Sequence, residues 1–506
     1  MFNFLQPRTR PSGMLTFAAL IAALIVPASA QAERLTVCGS GCNQRTISAA
    51  VAAASPGDSI EVRAGNFPES VTIDKPRLEL RGAKGGTDAR GRRNVGETVV
   101  SGADGGFLLG PDADDVTIDG FRISGGTGSG TGTAKGTGIV TNPGVAGTRI
   151  LNNVITSNVR GIRLNGDTSG APTQTLVSRN QIARNNRSAP AGQPPSGVGI
   201  LSDLGISNAE ISENRFTEHR RNTIVFGNRD APVSQGVDIL ANDLSGESGM
   251  DLRRIRSLSI VGNESLAPAK TGNRNAIALD GNIDGATIRD NKLAGRAQKN
   301  PPERELRNNG IVISNTGADT ASAQIQIIGN TITDHRRGVS IASAGAYRGQ
   351  LKVEFNRIVR NQRGVHNSDP DASELIDADN NWWGCNQGPG SNLGRCDGTS
   401  ENVNFDPWLV LRLRAGESSI DTGGDSTQMT ASLLTNSAGD TPVTFFPDNT
   451  RIDFETTRGK VGGRGRTADA VARSQLSSTS KAGAARVSAT LDNETKRVKV
   501  DIEKGS

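Results

Sequence analysis

Glu210 and Asp238 are the best pair of carboxylates in this chain for acid and base work, in which one group protonates a leaving oxygen while the other activates an attacking one. Arg160, Arg187, Arg221, Arg337 and Arg363 share another feature: each lies seven residues after an Asn. Guanidinium groups repeated at such a spacing can hold the carboxylates of an acidic polysaccharide, or they can cap backbone carbonyls at corners. Two segments nearly repeat, Thr217-Glu218-His219-Arg220-Arg221 and Thr333-Asp334-His335-Arg336-Arg337, and each offers a His beside cations. Oxygen ligands for Ca²⁺ are supplied by Pro111-Asp112-Ala113-Asp114-Asp115 and by Asp369-Pro370-Asp371-Ala372-Ser373-Glu374. Neither has the Gly and terminal Glu of an EF-hand loop, so no metal ligand is assigned and calcium stays open.

Which of these groups can meet depends on the elements that carry them. One phrase recurs along the chain, apolar-x-x-Asn-x-apolar, and its Asn positions are Asn153, Asn180, Asn214, Asn242, Asn263, Asn291, Asn330 and Asn356. Asn263 has the weaker following position, and Ile118, Phe121 and Ile123 form an earlier copy lacking the Asn. A second phrase, Gly-apolar-x-apolar, follows most copies, as in Gly161-Ile162-Arg163-Leu164 and Gly338-Val339-Ser340-Ile341. Each pair of phrases reads as two short strands with a bend between them. Such a unit cannot bury its apolar face alone, whereas stacked units make a continuous column. Asn tolerates left-handed backbone and bonds through its amide, so Asn in successive coils is expected to form a ladder along a sharp corner. Segments 124–138, 188–196 and 296–307 fall between the phrases, and 165–175 and 342–350 fall after the second. None enters the ladder phrase, as stacked coils require.

The amino end reads Thr46-Ile47-Ser48-Ala49-Ala50-Val51-Ala52-Ala53-Ala54, a short capped helix, then Pro56-Gly57-Asp58 and the strand Ser59-Ile60-Glu61-Val62. Followed by Asn coils, this resembles the pectin-lyase-like superfamily of right-handed parallel β-helix proteins, above all its NosD-like and carbohydrate-associated β-helix repeat members. The resemblance covers Leu35 to Leu409. Asn380-Asn381-Trp382-Trp383-Gly384 and Pro407-Trp408-Leu409 resemble the closing segment of many bacterial members. The Trp pair could stack on sugar, but no further aromatics extend such a platform, and a cap on the last coil is expected. Beyond Leu409, short strands such as Arg451-Ile452-Asp453-Phe454 and Arg486-Val487-Ser488-Ala489-Thr490-Leu491 alternate with turns. They suggest a small β-sandwich and resemble bacterial Ig-like domains of the invasin and intimin type. The expected fold is all-β: a right-handed parallel β-helix with an N-terminal capping helix over 31–409, then an Ig-like β-sandwich over 410–506.

Residues 1–30 read as a secretory signal: Arg8 and Arg10, an apolar run from Met14 to Val26, and Ala28-Ser29-Ala30 as a cleavage site. The apolar run is too short to span a bilayer, so no integral membrane association is expected after cleavage. Export makes disulfides available. Of the three connectivities open to four cysteines, the local one is expected, Cys38 with Cys42 and Cys385 with Cys396. A four-thiolate metal site would need two distant regions to meet, and no His accompanies either pair. A net charge of +5 suits weak attraction to acidic polysaccharide, and export argues against nucleic acid as partner. With 62 Gly and only three His, the composition suits many tight turns better than a compact helical enzyme.

Coil spacing then tests the chemistry. Glu210 and Asp238 should be about 4.8 Å apart in coil spacing, yet nothing identifies a cationic or acidic partner, and solvated side chains are the plainer account. His219 and His335 fall about 19 Å apart, too far for one bond-breaking centre. Outward positions of the second strand, Arg163, Gly199, Val225, Asp251, Ala278, Val312, Ser340 and His366, hold no acidic cluster. The resemblance implies a polysaccharide lyase, epimerase or hydrolase, which places Asp, Arg or Lys clusters on adjacent coils, but no catalytic residue can be assigned here. The expected function is a secreted or cell-surface protein that binds or scaffolds acidic polysaccharide or other envelope material without robust catalysis and without a cofactor. A purely structural stalk or adhesin is the remaining alternative. Ligand-binding candidates are the five Arg together with Glu210 and Asp238, and oligomeric state is not legible.

Overall fold

Each ladder phrase folds as two short strands meeting at a corner: Arg149–Leu151 and Val154–Thr156 flank Asn152 and Asn153, and Arg160–Leu164 follows a second corner. In this computed structural model the described residues are 32–505 apart from 92, 94, 129–133, 171, 190–194, 229, 267–274, 296–307, 317–318, 370–374 and 391–394. The leader read from residues 1–30 therefore lies outside the described residues.

Repetition of this coil builds three parallel faces. Face A orders 14 strands from Arg34–Val37 to Val403–Asn404, and face C orders 11 from Val71–Ile73 to Arg363–Asn367. Face B is a run of 6 strands ending at Arg215–Thr217 and a run of 4 starting at Glu264–Leu266, with Asp243 bridging the gap. The chain is thus a right-handed parallel β-helix. Ile150, Val177, Ile211, Ile239, Ile260 and Ile288 are register partners in successive coils and are fully buried. Burying each such side chain contributes roughly 1.5–3 kcal/mol before entropy, so the column rests on stacked aliphatic rows.

The A–B corner carries the Asn ladder. Asn214 donates its backbone N–H to Oδ1 of Asn242 at 2.9 Å, and its Nδ2 donates to the same atom at 3.0 Å and to the Val177 carbonyl at 2.8 Å. The same pattern links Asn153, Asn180, Asn214, Asn242, Asn263, Asn291, Asn330 and Asn356. It ends on Asn381, which accepts from the Asn356 N–H, and it starts where Phe121 N–H donates to Asn153. The left-handed backbone expected of the Asn belongs instead to the residue before it: Asn152, Arg179, Glu213, Ala241 and Phe355 all have φ between 52° and 58°. The Asn is there for its side chain, which saturates buried main-chain groups that the corner removes from the sheet.

A second buried ladder runs along the B–C corner, five residues after the first. Asn158 N–H donates to Asn185 Oδ1, and Asn185 Nδ2 lies 3.4 Å from His219 Nε2. His219 in turn bonds Glu247, N–H to Oε2 at 3.1 Å and Nδ1 to Oε2 at 2.8 Å. Further along, His335 N–H donates to Asn361 Oδ1, and Asn361 donates to Asp397. Again a left-handed residue precedes each member, as at Ser157, Arg184, Glu218, Asp334 and Arg360. The near-repeated His segments are therefore corner pieces, and both imidazoles are buried. Burial holds His335 near pKa 4.

At the amino end, the helix Ile47–Ala53 closes the first coil. Thr46 caps it, Glu69 of the column accepts from the Ile47 and Ser48 N–H groups, and Lys75 Nζ donates to the carbonyls of Val51, Ala52 and Ala54. At the carboxyl end, Leu409–Ala415 pairs antiparallel with Ser426–Asn436, which pairs with Val471–Ser477. A second sheet sets Gly483–Leu491 between Arg451–Thr456 and Glu494–Glu503. Phe454, Val487, Met429 and Leu433 form the core between these sheets, and Phe355 and Trp382 of the column enter it. Trp383 packs into the column core. Both indoles are fully buried, so the Trp pair joins two cores and presents no sugar platform. The disulfides are local, Cys38–Cys42 and Cys385–Cys396.

Candidate functional site

The B–C corner delivers Arg336 and Arg337 to the rim of face C, and the next coil places Arg363 directly beside Arg337. Three residues on, outward Ser340 and His366 are likewise register partners. Arg363 Nη1 lies 3.0 Å from His366 Nδ1, and Arg337 Nη1 lies 3.4 Å from Ser340 Oγ. Arg363 is exposed, and Arg336, Arg337 and His366 are half-buried. Among the described residues none of these three Arg has a carboxylate within ion-pair distance. Other Arg of the column are paired, Arg163 with Asp203, Arg253 with Asp280, Arg254 with Asp319 and Arg360 with Asp334.

The electrostatic cost of this gathering is visible in its neighbours. Burial, Arg337, Arg363 and Arg336 together hold His366 near pKa 4, so the imidazole is neutral and can accept from Arg363. Burial, Arg336 and Arg363 likewise depress Arg337. Guanidinium groups crowded without a counter-charge form a receptor for an anion, since a carboxylate placed among them gains charge-assisted hydrogen bonds and relieves the repulsion.

The rest of the Arg series does not share this environment. Arg160 is 1% exposed and bonds the Pro195 carbonyl and Thr137 Oγ1, and burial, with Arg163 adding to it, lowers its pKa to about 10. It is a buried corner residue that caps a backbone carbonyl and is not available to a ligand. Arg187 is exposed but donates to the Ser157 carbonyl, and Arg221 is exposed one coil later. Gly249 interrupts the series before Arg337. The series is thus split into two patches, and Arg337 and Arg363 are the pair set in direct register on adjacent coils.

On face A, Glu210 and Asp238 are register partners and half-buried, and among the described residues neither carboxylate has an ion pair or hydrogen bond. Outward Ser259, Thr287, Gln326 and Lys352 continue their row one way and Leu176 and Arg149 the other, so its nearest cations are Arg149, two rungs or about 10 Å from Glu210, and Lys352, four rungs or about 19 Å from Asp238. On face C, the partner of Arg163 is Leu201 and not Gly199. Asp251 is an outward carboxylate of that face, pushed up by burial, but Ala278, Val312 and Ser340 separate it from His366. The cation next to Asp251 is Arg253, which is already paired with Asp280, and the Arg cluster around His366 stands about 19 Å from Asp251.

Acidic clustering occurs where sequence spacing gave no signal. Glu354, Asp377 and Asp379 converge at the carboxyl end of face A, with ligand atoms within 4.8 Å of one another. Burial, then Asp377 and Glu354, push Asp379 up to about 6. Of the two segments suggested for Ca²⁺, Asp114 accepts from the Ala146 N–H, and residues 370–374 lie outside the described residues.

Fold and site define a parallel β-helix protein with a β-sandwich tail and a cationic cluster on its column. A family described as a protein of unknown function, DUF1565, matches residues 214–395. No curated protein matches. Among solved structures, DFA-IIIase from Arthrobacter chlorophenolicus A6 is 15% identical, with TM-score 0.40, covering 70% of this chain and 84% of that one. The periplasmic alginate epimerase AlgG is 15% identical, with TM-score 0.31, covering 72% and 73%. The catalytic domain of a GH87 alpha-1,3-glucanase in complex with tetrasaccharides is 13% identical, with TM-score 0.36, covering 69% and 64%. No helix among the described residues is long and apolar enough to cross a membrane.

Proposed function

We propose that this protein works outside the cytoplasm as a non-catalytic binder of acidic polysaccharide or similar envelope material. The single observation behind this reading is that Arg336, Arg337 and Arg363 converge around a neutral His366 with no carboxylate within ion-pair distance among the described residues. Uronate carboxylates have the planar geometry that guanidinium forks grip, and successive uronates along a chain would present one after another. The repeat is read as NosD-like and carbohydrate-associated, and the tail as an Ig-like spacer of the invasin and intimin type.

The test is retention of the full chain on uronate-containing and neutral glycans, with and without calcium, with product analysis of the same mixtures. Salt-sensitive retention on uronates without new products is the expected result. The second reading, a lyase, epimerase or hydrolase, draws on the adjacent carboxylates Glu210 and Asp238. Turnover that disappears in Asp238→Asn would establish it and displace the binding-only account.

A further inference from the structure

Face A is bent along a line. Asn208, Gly236, Ser257, Gly285 and Gln324 each fall six residues before a ladder Asn and stack in register, with φ of 53°, 62°, 54°, 73° and 55°. Left-handed backbone at Asn208, Ser257 and Gln324 costs roughly 1–2 kcal/mol each, so the bend is imposed by the fold coil after coil. It folds the outer surface of the face into a straight trough of about 690 Å³ running across successive coils.

The trough is lined by Ser257, Ser259, Thr287, Gln324 and Gln326, and none of these side chains has a hydrogen-bond partner among the described residues. Asp238 stands at one end and Lys352 at the other, with no charge on the row between them. Glu210 lies one rung beyond Asp238, so a polyanion entering that end meets two carboxylates. Lys352 is already 4.0 Å from Glu354.

We propose that this trough is a second binding site, distinct from the Arg cluster, for an uncharged linear polysaccharide lying along the column. Hydroxyl and amide groups both donate and accept, and they repeat at the rung spacing of about 4.8 Å, which suits a polymer of hydroxyl groups. The floor lacks the cations that a nucleic acid needs and the apolar surface that a lipid needs. All the strands forming it are paired on both sides, which leaves no edge for a peptide strand to join. Four rungs give about 19 Å, room for several sugar rings.

The test uses the full chain with cello-, laminari- and xylo-hexaose, followed by isothermal titration, and with an oligouronate as the comparison. Thr287→Trp fills the trough and Thr287→Val removes one hydroxyl at constant shape; unchanged thermal unfolding shows that each is folded. Binding of at least one neutral hexaose, reduced tenfold or more by Thr287→Trp and less by Thr287→Val, with uronate binding unchanged, is the expected result. Failure of all three neutral chains to bind, or equal binding by Thr287→Trp, overturns the proposal. Either outcome is independent of uronate retention at the Arg cluster, so the two readings fail separately.

Discussion

Asn361 donates both its backbone N–H and its side-chain Nδ2 to the carboxylate of Asp397, with Nδ2 2.7 Å from Oδ2. This is the grip that each ladder Asn makes on the next, closed at the last rung by an acid in place of an amide. Burial pushes Asp397 up to about 7 against the lowering effect of the Asn361 bonds, and Asp492 adds to the rise. The folded protein therefore holds this proton more tightly than the unfolded chain, whose Asp titrates near 4. The resulting stability is complete below about pH 4 and is lost as pH rises through about 7. Asp397→Asn, which supplies a neutral acceptor of the same shape, should raise the unfolding temperature at pH 8 and flatten its dependence between pH 5 and 8. Thermal unfolding across that range checks it, and an unchanged pH profile would contradict it.

The Asn ladder should be costly to break at any rung. Asn242 accepts twice from Asn214 and donates to Asn263 and to the Ile211 carbonyl, all in the buried corner. Asn242→Ala leaves main-chain and amide groups of both neighbours without partners, at about 1–3 kcal/mol each. A fall of several degrees in unfolding temperature is expected, measured against Glu218→Ala at an exposed corner as the control.

Removing one guanidinium from the cluster should be readable at His366. Arg363→Ala takes away a positive neighbour, so the depressed His366 pKa moves up from about 4 toward the ordinary value. NMR titration of the His resonances checks this, with buried His219 and His335 as internal references. No upward movement would mean that Arg363 has no part in setting the value.

One carboxylate is central to the joint between column and tail. Asp492 of the tail pairs with Arg357 and accepts from Trp382 Nε1 at 2.8 Å, and all three are largely buried. Asp492→Ala strands a buried guanidinium and an indole N–H, a loss of about 3–5 kcal/mol for this joint. The tail should then become protease-sensitive before the column does, with a shift in Trp emission.

The Asn recurrences were legible because one residue type fits the ladder position in every coil. The left-handed residue before each Asn was not, since Arg179, Glu213, Ala241 and Phe355 serve equally and the corner imposes their backbone. The second ladder escaped notice for a related reason. Asn158, Asn185, His219, Glu247, His335 and Asn361 do one job with three side-chain types, so only the constant offset of five from the first ladder could have revealed it. Spacing did bring Arg337 and Arg363 together on adjacent coils. It could not foresee that Arg160, at the same offset, is buried against the Pro195 carbonyl, because that depends on a segment outside the repeat. The trough on face A leaves only the trace Asn208, Gly236, Ser257, Gly285 and Gln324, too mixed a series to be read as a bend.

The most direct measurement is the affinity of the Arg337→Ala/Arg363→Ala double variant for an oligouronate, set beside the wild type at low and high salt. Wild-type binding that weakens with salt and falls at least tenfold in the folded double variant, with the oligouronate recovered intact, is the predicted result. Equal affinity in the two proteins, or cleaved or epimerised oligouronate in the wild-type sample, would contradict it.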